Sequence, residues 1–228
     1  MNVAGLVPFT TIDFPDKLAA VVFFQGCPLK CPFCHNPDLQ PFATPAKMGW
    51  QEVLTFLNER KKRLDGVVLS GGEPLMQPHV LDAVKQIKAL GFAVAIHTSG
   101  VYPDKLKELL PYIDWVGLDV KAPKSKYEIL SGRKNVEKQV FETLDILSDS
   151  SIQFEVRTTL DPSYLDVEDV YLLAQELKNF NVKTYALQKY RTFPGDKNPP
   201  SASEIEKFFQ DNQLIEFLKT NFQNLILR

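Results

Sequence analysis

Stretches of β-forming residues alternate with amphipathic stretches along most of this 228-residue chain. The predicted strands are residues 18–24, 66–69, 92–96, 115–120, 152–158 and 182–187. The predicted helices between them are residues 48–63, 79–90, 103–110, 136–147 and 167–180, where apolar residues recur at helical spacing. Such alternation predicts a parallel sheet with a helix in each crossover. We therefore expect an α/β fold, an incomplete (βα)6 barrel of TIM type, with a doubly wound open sheet as the alternative.

The domain organisation that this pattern predicts is a single domain over residues 1–228, with a barrel core of about residues 18–190. The flanking segments are residues 1–17, which lack a strong period and are expected to cover one end of the barrel, and residues 191–228. Ser203 and Glu206 predict a capping box that opens a last helix. Residues 222–227 are apolar, and both a final strand and a docking tail remain open for them.

The composition is that of an ordinary soluble protein, with 44% hydrophobic and 24% charged residues. A net charge of -2 offers no electrostatic reason to expect nucleic acid or an anionic membrane as a partner. The apolar run at residues 18–24 is too short to span a bilayer and follows no basic leader. We expect a cytoplasmic protein, whose thiols stay reduced and available to metal.

Polar motifs follow each of the predicted strands at its carboxyl end. They are residues 27–37, 70–74, 97–100, 119–123, 157–159 and 188–191. Because the carboxyl ends of parallel barrel strands meet on one face, the sequence predicts an active site built from these motifs at that face.

All three cysteines of the chain, Cys27, Cys31 and Cys34, lie within eight positions. A closed zinc site would need a fourth ligand such as His35. Residues 31–35 also match a c-type haem attachment pattern, which leaves Cys27 unexplained. Closely spaced thiolates suit an iron–sulfur cluster better, and four irons with three cysteines leave one iron for another ligand.

The Cys-x3-Cys-x-aromatic-Cys pattern, with Phe33 as the aromatic residue, resembles the signature of radical S-adenosylmethionine enzymes. The resemblance implies that Cys27, Cys31 and Cys34 bind a 4Fe-4S cluster whose open iron is chelated by the amino and carboxylate groups of S-adenosylmethionine. One electron from that cluster then cleaves the sulfonium and releases a 5′-deoxyadenosyl radical.

Further motifs suit the same ligand. Gly71, Gly72 and Glu73 match the Gly-Gly-Glu-Pro motif that binds the methionine amino group in that family. Asp119 and Lys121 resemble an Asp-x-Lys element of the glycyl-radical activating branch. In that branch the element helps to bind S-adenosylmethionine, partly through a monovalent cation. His97 stands where some members of the branch carry an aspartate. The candidate residues for binding S-adenosylmethionine are Phe33, Gly71, Gly72, Glu73, Thr98, Ser99, Asp119, Lys121 and Arg157.

Residues 13–15, 19–27 and 34–39 are similar to the activating proteins of anaerobic ribonucleoside-triphosphate reductase. This implies an oxidoreductase that abstracts hydrogen from a glycine of a glycyl-radical enzyme, with reduced flavodoxin or ferredoxin as electron donor. His35, Asn36 and Arg191 are candidates for contacting that partner. The alternatives are an activase of pyruvate formate-lyase, a radical enzyme acting on a small molecule, and a non-catalytic zinc or electron-transfer module.

Overall fold

The computed structural model describes residues 1–193 and 196–228 and confirms the predicted α/β class. The strands are β1 (Val3–Thr10), β2 (Ala19–Phe24), β3 (Gly66–Gly71), β4 (Ala93–Thr98), β5 (Trp115–Asp119), β6 (Gln153–Leu160), β7 (Thr184–Lys189) and β8 (Asn224–Leu227). The α-helices are α1 (Trp50–Glu59), α2 (Val80–Ala89), α3 (Pro103–Leu109), α4 (Tyr127–Ser131), α5 (Val136–Ser148), α6 (Val167–Leu177), α7 (Ala202–Gln210) and α8 (Asn212–Asn221). The strands follow chain order in one open sheet, as expected for an incomplete barrel.

The chain divides into two compact units. The first consists of Met1–Pro28 and Asn36–Gly117, and the second of Leu29–His35 and Leu118–Arg228. The expectation of a single domain over the whole chain stays a prediction. Among the described residues, no helix is both long and apolar enough to cross a membrane.

In the first unit, β2, β3 and β4 are parallel neighbours, with Val21 opposite Val68 and Val68 opposite Ala95. Most of their apolar residues are buried, and Phe23 and Ala93 are partly buried, which explains why these strands appear in the sequence as continuous apolar runs. The preceding strand β1 pairs with β2 in the antiparallel direction. The strand β1 was not predicted from the sequence because Gly5 and Pro8 interrupt its apolar pattern.

The segment between β1 and β2 covers one end of the first unit's core. Phe14 is 4% exposed and packs against Trp115 with ring centroids 6.2 Å apart. Both belong to a buried cluster with Ala19, Val68 and Ala95. Since Ala19 and Trp115 begin their strands, Phe14 fills the amino-terminal end of these strands, and their carboxyl ends stay available for the site.

In the second unit, β6, β7 and β8 are parallel neighbours, so residues 222–227 include a final strand. The predicted last helix is two helices, because Asp211 ends α7 and caps α8 by accepting a hydrogen bond from the backbone N–H of Leu214. The capping box that opens α7 is formed by Ser201 and Glu204, so its assignment to Ser203 was wrong by two residues.

Candidate active site

The segment that begins the cysteine loop is fixed by backbone hydrogen bonds in the first unit. The N–H of Gly26 donates to the carbonyl of Leu39 at 2.8 Å, and the N–H of Cys27 donates to the carbonyl of Gln40 at 3.1 Å. Gly26 has φ 97°, a conformation that a residue with a β-carbon rarely adopts. The backbone conformation before Cys27 is therefore set by Gly26 and by hydrogen bonds to Leu39 and Gln40, which follow Cys34 in the chain.

Two buried glutamines reinforce this arrangement. The amide nitrogen of Gln25 donates to the carbonyls of Asp38 at 2.9 Å and Pro41 at 2.8 Å. The amide nitrogen of Gln77 donates to the carbonyl of Gln25 at 3.0 Å. Both glutamines are 3% exposed, so each bond satisfies a group that water cannot reach. Neither glutamine was predicted to be a site residue. The sequence indicates such a role only through the polarity of Gln25 at the end of an apolar run.

In the second unit, the part of the loop that carries Cys31 and Cys34 is supported by the C-terminal end of α4. The backbone N–H of Lys30 donates to the carbonyl of Ser131 at 2.9 Å. A β-carbon on Gly132 would lie 2.7 Å from the carbonyl oxygen of Lys30, and Gly132 has φ 65°. Within the loop, the N–H of Cys34 donates to the carbonyl of Cys31 at 3.2 Å and closes a turn.

The glycine pair after β3 lies against protein backbone in the first unit. A β-carbon on Gly71 would lie 2.3 Å from the nitrogen of Phe24, and one on Gly72 would lie 2.1 Å from the carbonyl oxygen of Gly26. The N–H of Glu73 donates to that same carbonyl of Gly26 at 2.9 Å. The pair thus lets the end of β3 pack against the beginning of the cysteine loop.

Glu73 is fully buried, and both of its carboxylate oxygens accept hydrogen bonds from the protein. One oxygen accepts from the N–H of Leu75 at 3.1 Å and from the hydroxyl of Thr98 at 2.7 Å. The other accepts from the N–H and the hydroxyl of Ser99, at 2.9 and 2.5 Å. Burial raises the pKa of Glu73, and these hydrogen bonds oppose that rise. The structure therefore brings Glu73, Thr98 and Ser99 together.

The second unit gathers the predicted charged residues. Arg157, 7% exposed, donates through Nε to Asp119 at 2.8 Å, and the N–H of Val120 donates to the carbonyl of Arg157 at 2.9 Å. The ammonium of Lys121 lies 5.9 Å from the ring centroid of Phe33. This group combines an ion pair, a cation and an aromatic ring, which suits a ligand with a carboxylate and an aromatic base.

The backbone of Lys121 is hydrogen-bonded to Tyr127, a residue that was not predicted to belong to the site. Its N–H donates to the hydroxyl of Tyr127, which is fully buried, at 3.4 Å. Burial raises the pKa of Tyr127, so this hydroxyl stays protonated. In the sequence, Tyr127 is indistinguishable from the other apolar residues of a short helix.

The residues predicted to meet a partner are exposed, and two of them interact. Desolvation and the nearby guanidinium of Arg191 both lower the pKa of His35. Asn36 is exposed as well. His97 instead bonds through Nε2 to the carbonyl oxygen of Asp13 at 2.8 Å and packs edge-on against Trp115.

The chemistry of the cysteines fits an iron–sulfur cluster. None of the three forms a disulfide bond. Burial raises the pKa of Cys31, whereas the ammonium of Lys121 opposes the rise. In the described part of the chain, no group of three or more His, Cys, Asp or Glu residues is arranged to hold a single metal ion. Iron–sulfur clusters are held by cysteine thiolates.

Comparisons with known proteins show the family of this chain. Residues 21–184 match the model of the Radical SAM superfamily. A Methanocaldococcus jannaschii protein, described as a candidate glycyl-radical enzyme activating enzyme, is 30% identical over 240 aligned positions, covering 97% of this chain and 98% of that protein. The pyruvate formate-lyase-activating enzyme of Clostridium pasteurianum is 34% identical over 190 positions, covering 79% of this chain and 78% of that enzyme.

The chain therefore belongs to the radical S-adenosylmethionine superfamily, and it is an enzyme of the glycyl-radical activating type. A 4Fe-4S cluster and S-adenosylmethionine are the cofactors of this family. Cys27, Cys31 and Cys34 are this chain's candidate ligands for the cluster.

Solved structures share the fold. Streptococcus suis SuiB bound to S-adenosylmethionine matches with a TM-score of 0.70 at 15% identity, over 91% of this chain and 51% of that one. A domain of pyruvate-formate lyase-activating enzyme from Bacteroides vulgatus matches with a TM-score of 0.56 at 17% identity, over 72% of this chain and 98% of that one. The chain thus spans about half the length of SuiB.

Proposed function

We propose that this chain generates a glycyl radical on a partner enzyme and that the partner is an anaerobic ribonucleoside-triphosphate reductase. The observation that carries the first part is the match over 97% of the chain to a candidate glycyl-radical enzyme activating enzyme. The resemblance of residues 13–15, 19–27 and 34–39 to the reductase activators supports the choice of partner. Reduced flavodoxin or ferredoxin is the proposed electron donor.

The roles of the chain's own residues follow from their chemistry. When bound, the cluster and S-adenosylmethionine supply reductive cleavage of the sulfonium and a 5′-deoxyadenosyl radical that takes a hydrogen atom from the partner's glycine. Cys27, Cys31 and Cys34 hold the cluster. Lys121 and Arg157 bind the ligand carboxylate as charge-assisted donors.

The remaining candidate residues shape the ligand site. Phe33 packs beside the ligand. Gly71, Gly72 and Glu73 present the end of β3 to the methionine amino group. The carboxylate of Glu73 at the same time accepts hydrogen bonds from the hydroxyls of Thr98 and Ser99 and so positions them.

The test of the proposed function is anaerobic. The protein is reconstituted with iron and sulfide, reduced, and mixed with S-adenosylmethionine and the ribonucleotide reductase of the same organism. The expected result is an electron paramagnetic resonance doublet from a glycyl radical, with release of 5′-deoxyadenosine. A reductase whose radical-bearing glycine is replaced by alanine serves as the control and must stay silent.

The cysteine variants test the cluster in the same experiment. Cys27→Ala, Cys31→Ala and Cys34→Ala should each lose the broad visible absorption of the reconstituted protein as well as 5′-deoxyadenosine formation. Tightly bound zinc that iron cannot replace, or a sharp haem band, would contradict the cluster assignment.

Pyruvate formate-lyase is the second candidate partner, because an activating enzyme of that lyase is 34% identical to this chain. The same doublet on the lyase, with none on the reductase, would assign this partner instead. If neither protein gains a radical while a small molecule is modified with matching 5′-deoxyadenosine release, the activase proposal fails.

A further inference from the structure

The hydroxyl of Tyr127 is a buried polar group that uses only part of its hydrogen-bonding capacity within the protein. Tyr127 is the first residue of α4 and is fully buried. Its hydroxyl oxygen accepts from the N–H of Lys121 at 3.4 Å. Within residues 1–193 and 196–228, no oxygen, nitrogen or sulfur atom accepts the hydroxyl proton. Because buried donors are almost always paired, the proton of Tyr127 requires an acceptor in the functional form of the site.

Backbone contacts at both ends of α4 place the cysteine loop beside Tyr127. At the start of the helix, the Tyr127 hydroxyl is bonded to the N–H of Lys121. At its end, the carbonyl of Ser131 accepts from the N–H of Lys30 at 2.9 Å, and Lys30 directly precedes Cys31. The helix has five residues and so spans only about 7 Å. Cys31 is therefore held within one short helix of the Tyr127 side chain.

The thiol of Cys31 and the hydroxyl of Tyr127 share their electrostatic surroundings. Burial raises the pKa of both groups, the ammonium of Lys121 opposes the rise in both, and the carboxylate of Asp119 adds to it in both. The thiol of Cys31 also raises the pKa of Tyr127. Interactions of this kind weaken with distance, so the hydroxyl and the thiol lie in one part of the second unit. With its pKa raised, Tyr127 stays protonated and remains a donor.

A sulfur of the cluster is the acceptor that suits this donor best. Hydrogen bonds to the sulfurs of an iron–sulfur cluster help to set its reduction potential. The carboxylate of Asp119 is another acceptor nearby, but the guanidinium of Arg157 already donates to it at 2.8 Å. In a buried site, a hydrogen bond to a charged group contributes more than a bond to a neutral one. The candidate cluster ligand that interacts with Tyr127 is Cys31.

We propose that the hydroxyl of Tyr127 donates a hydrogen bond to the sulfur of Cys31 when that sulfur ligates the cluster, and that this bond raises the cluster's reduction potential. Reduction adds one electron to the cluster, and the hydroxyl dipole stabilises the added negative charge while the proton stays on Tyr127. The inference rests on one part of the proposed function, the ligation of the cluster by Cys31. It does not depend on which partner protein receives the radical.

The first experiment measures the reduction potential. Tyr127→Phe removes the hydroxyl and keeps the ring. The reconstituted protein is titrated anaerobically with reductant, and visible absorption and electron paramagnetic resonance follow the reduction of the cluster. At a fixed solution potential, the ratio of reduced to oxidised cluster should fall about two- to tenfold, the equilibrium effect of one hydrogen bond. Iron and sulfide content should match that of the unaltered protein.

Tyr185→Phe is the matched control. Tyr185 is also fully buried in the second unit, and its hydroxyl donates to the hydroxyl of Thr158 at 3.1 Å. Both substitutions remove a buried hydroxyl, so both should lower the unfolding free energy. Only Tyr127→Phe should change the reduction potential. Equal shifts of the potential in the two variants would mean a general effect of destabilisation and would overturn the proposal.

Vibrational spectroscopy tests the bond directly. A hydrogen bond to a thiolate withdraws electron density from the iron–sulfur bond, so its loss should move an Fe–S(Cys) stretching band of the resonance Raman spectrum to higher frequency. Exchange into D₂O should shift this band more in the unaltered protein than in Tyr127→Phe. A fluorinated tyrosine at position 127 donates a stronger hydrogen bond and should shift the reduction potential in the opposite direction. This protein decides the question if Tyr127→Phe does not fold.

An unchanged reduction potential in Tyr127→Phe, or in the fluorotyrosine protein when the phenylalanine variant does not fold, would overturn the proposal. Weaker S-adenosylmethionine binding with an unchanged potential would also overturn it and would limit Tyr127 to positioning Lys121. These measurements contain no partner protein. A partner that gains no radical would therefore count against the proposed function, while the titration still decides whether Tyr127 bonds to the cluster.

Discussion

Gly72 and the carbonyl of Gly26 approach so closely that a β-carbon on Gly72 would lie 2.1 Å from the carbonyl oxygen. The contact joins the end of β3 to the residue before Cys27 through backbone atoms that cannot move aside as a flexible side chain can. The glycine pair was predicted to admit a ligand. The structure adds a packing requirement of the protein itself, which would hold even without a ligand.

Gly72→Ala should therefore displace the beginning of the cysteine loop. Overpacking at a rigid contact costs about 1–3 kcal/mol of unfolding free energy, and we expect a loss of that size together with reduced iron and sulfide content after reconstitution. Chemical denaturation and iron analysis give the two measurements. Gly5→Ala is the matched control, because nothing lies within 4 Å of the position that its β-carbon would take. Equal iron content in both variants would contradict the prediction.

Gln25→Leu should destabilise the same region through lost hydrogen bonds. The substitution leaves the carbonyls of Asp38 and Pro41 without their amide donor, and each lost hydrogen bond costs about 0.5–1.5 kcal/mol of unfolding free energy. We expect faster loss of the cluster to a chelator, followed by its visible absorption. Gln51→Leu, on the exposed side of α1, should lose the cluster at the rate of the unaltered protein. The same rate in Gln25→Leu would show that the buried amide does not position the loop.

Lys121→Ala and Arg157→Ala test the candidate ligand residues. Removing one charge-assisted hydrogen bond costs about 1.5–3 kcal/mol, so S-adenosylmethionine should bind about ten- to hundredfold more weakly. Equilibrium binding to the reconstituted protein measures this, with iron content as the check on the cluster. Lys138→Ala removes an exposed cation from α5 and should bind normally. Unchanged affinity in both site variants would place the ligand elsewhere.

Glu73 predicts a pH dependence of stability. Its pKa is raised in the folded protein, so the folded state holds the proton to higher pH than the unfolded chain does. The unfolding free energy should therefore fall, relative to that of Glu73→Gln, as pH rises from the ordinary glutamate pKa through the raised one.

Glu73→Gln should itself be less stable at low pH, because its amide nitrogen cannot accept from the N–H of Leu75 or Ser99. Denaturant titrations of the cofactor-free proteins at several pH values measure the difference. A difference that stays constant across this range would show that the folded protein does not raise the pKa of Glu73.

The parts of the fold that could be predicted are those whose patterns are continuous in the chain. The strands β2 to β7 were predicted because their apolar residues follow one another between polar motifs or, in β6, alternate with polar residues. The strand β1 was missed because Gly5 and Pro8 break its pattern, and its pairing with β2 depends on distant residues. Ser201 and Ser203 each precede an acidic residue by three positions. The local sequence therefore cannot decide which serine caps α7, and the prediction named Ser203 instead of Ser201.

The site was predictable where residue type alone limits the chemistry, as for the three cysteines. It was not predictable where a role arises from tertiary contact. Gln25, Gln77 and Tyr127 are common residues, and their importance lies in the backbone groups that they meet across the fold. The use of Thr98 and Ser99 as donors to Glu73 likewise depends on the neighbouring positions of β3 and β4.

The support that α4 gives to the cysteine loop has a thermodynamic consequence. Fixing the backbone of an irregular segment costs roughly 1–2 kcal/mol per residue in conformational entropy. The bond from Lys30 to Ser131 and the close fit at Gly132 restrict the loop before any cofactor arrives. Part of that entropic cost is thus met when the chain folds, so a larger share of the metal–thiolate bond energy remains as binding affinity for the cluster.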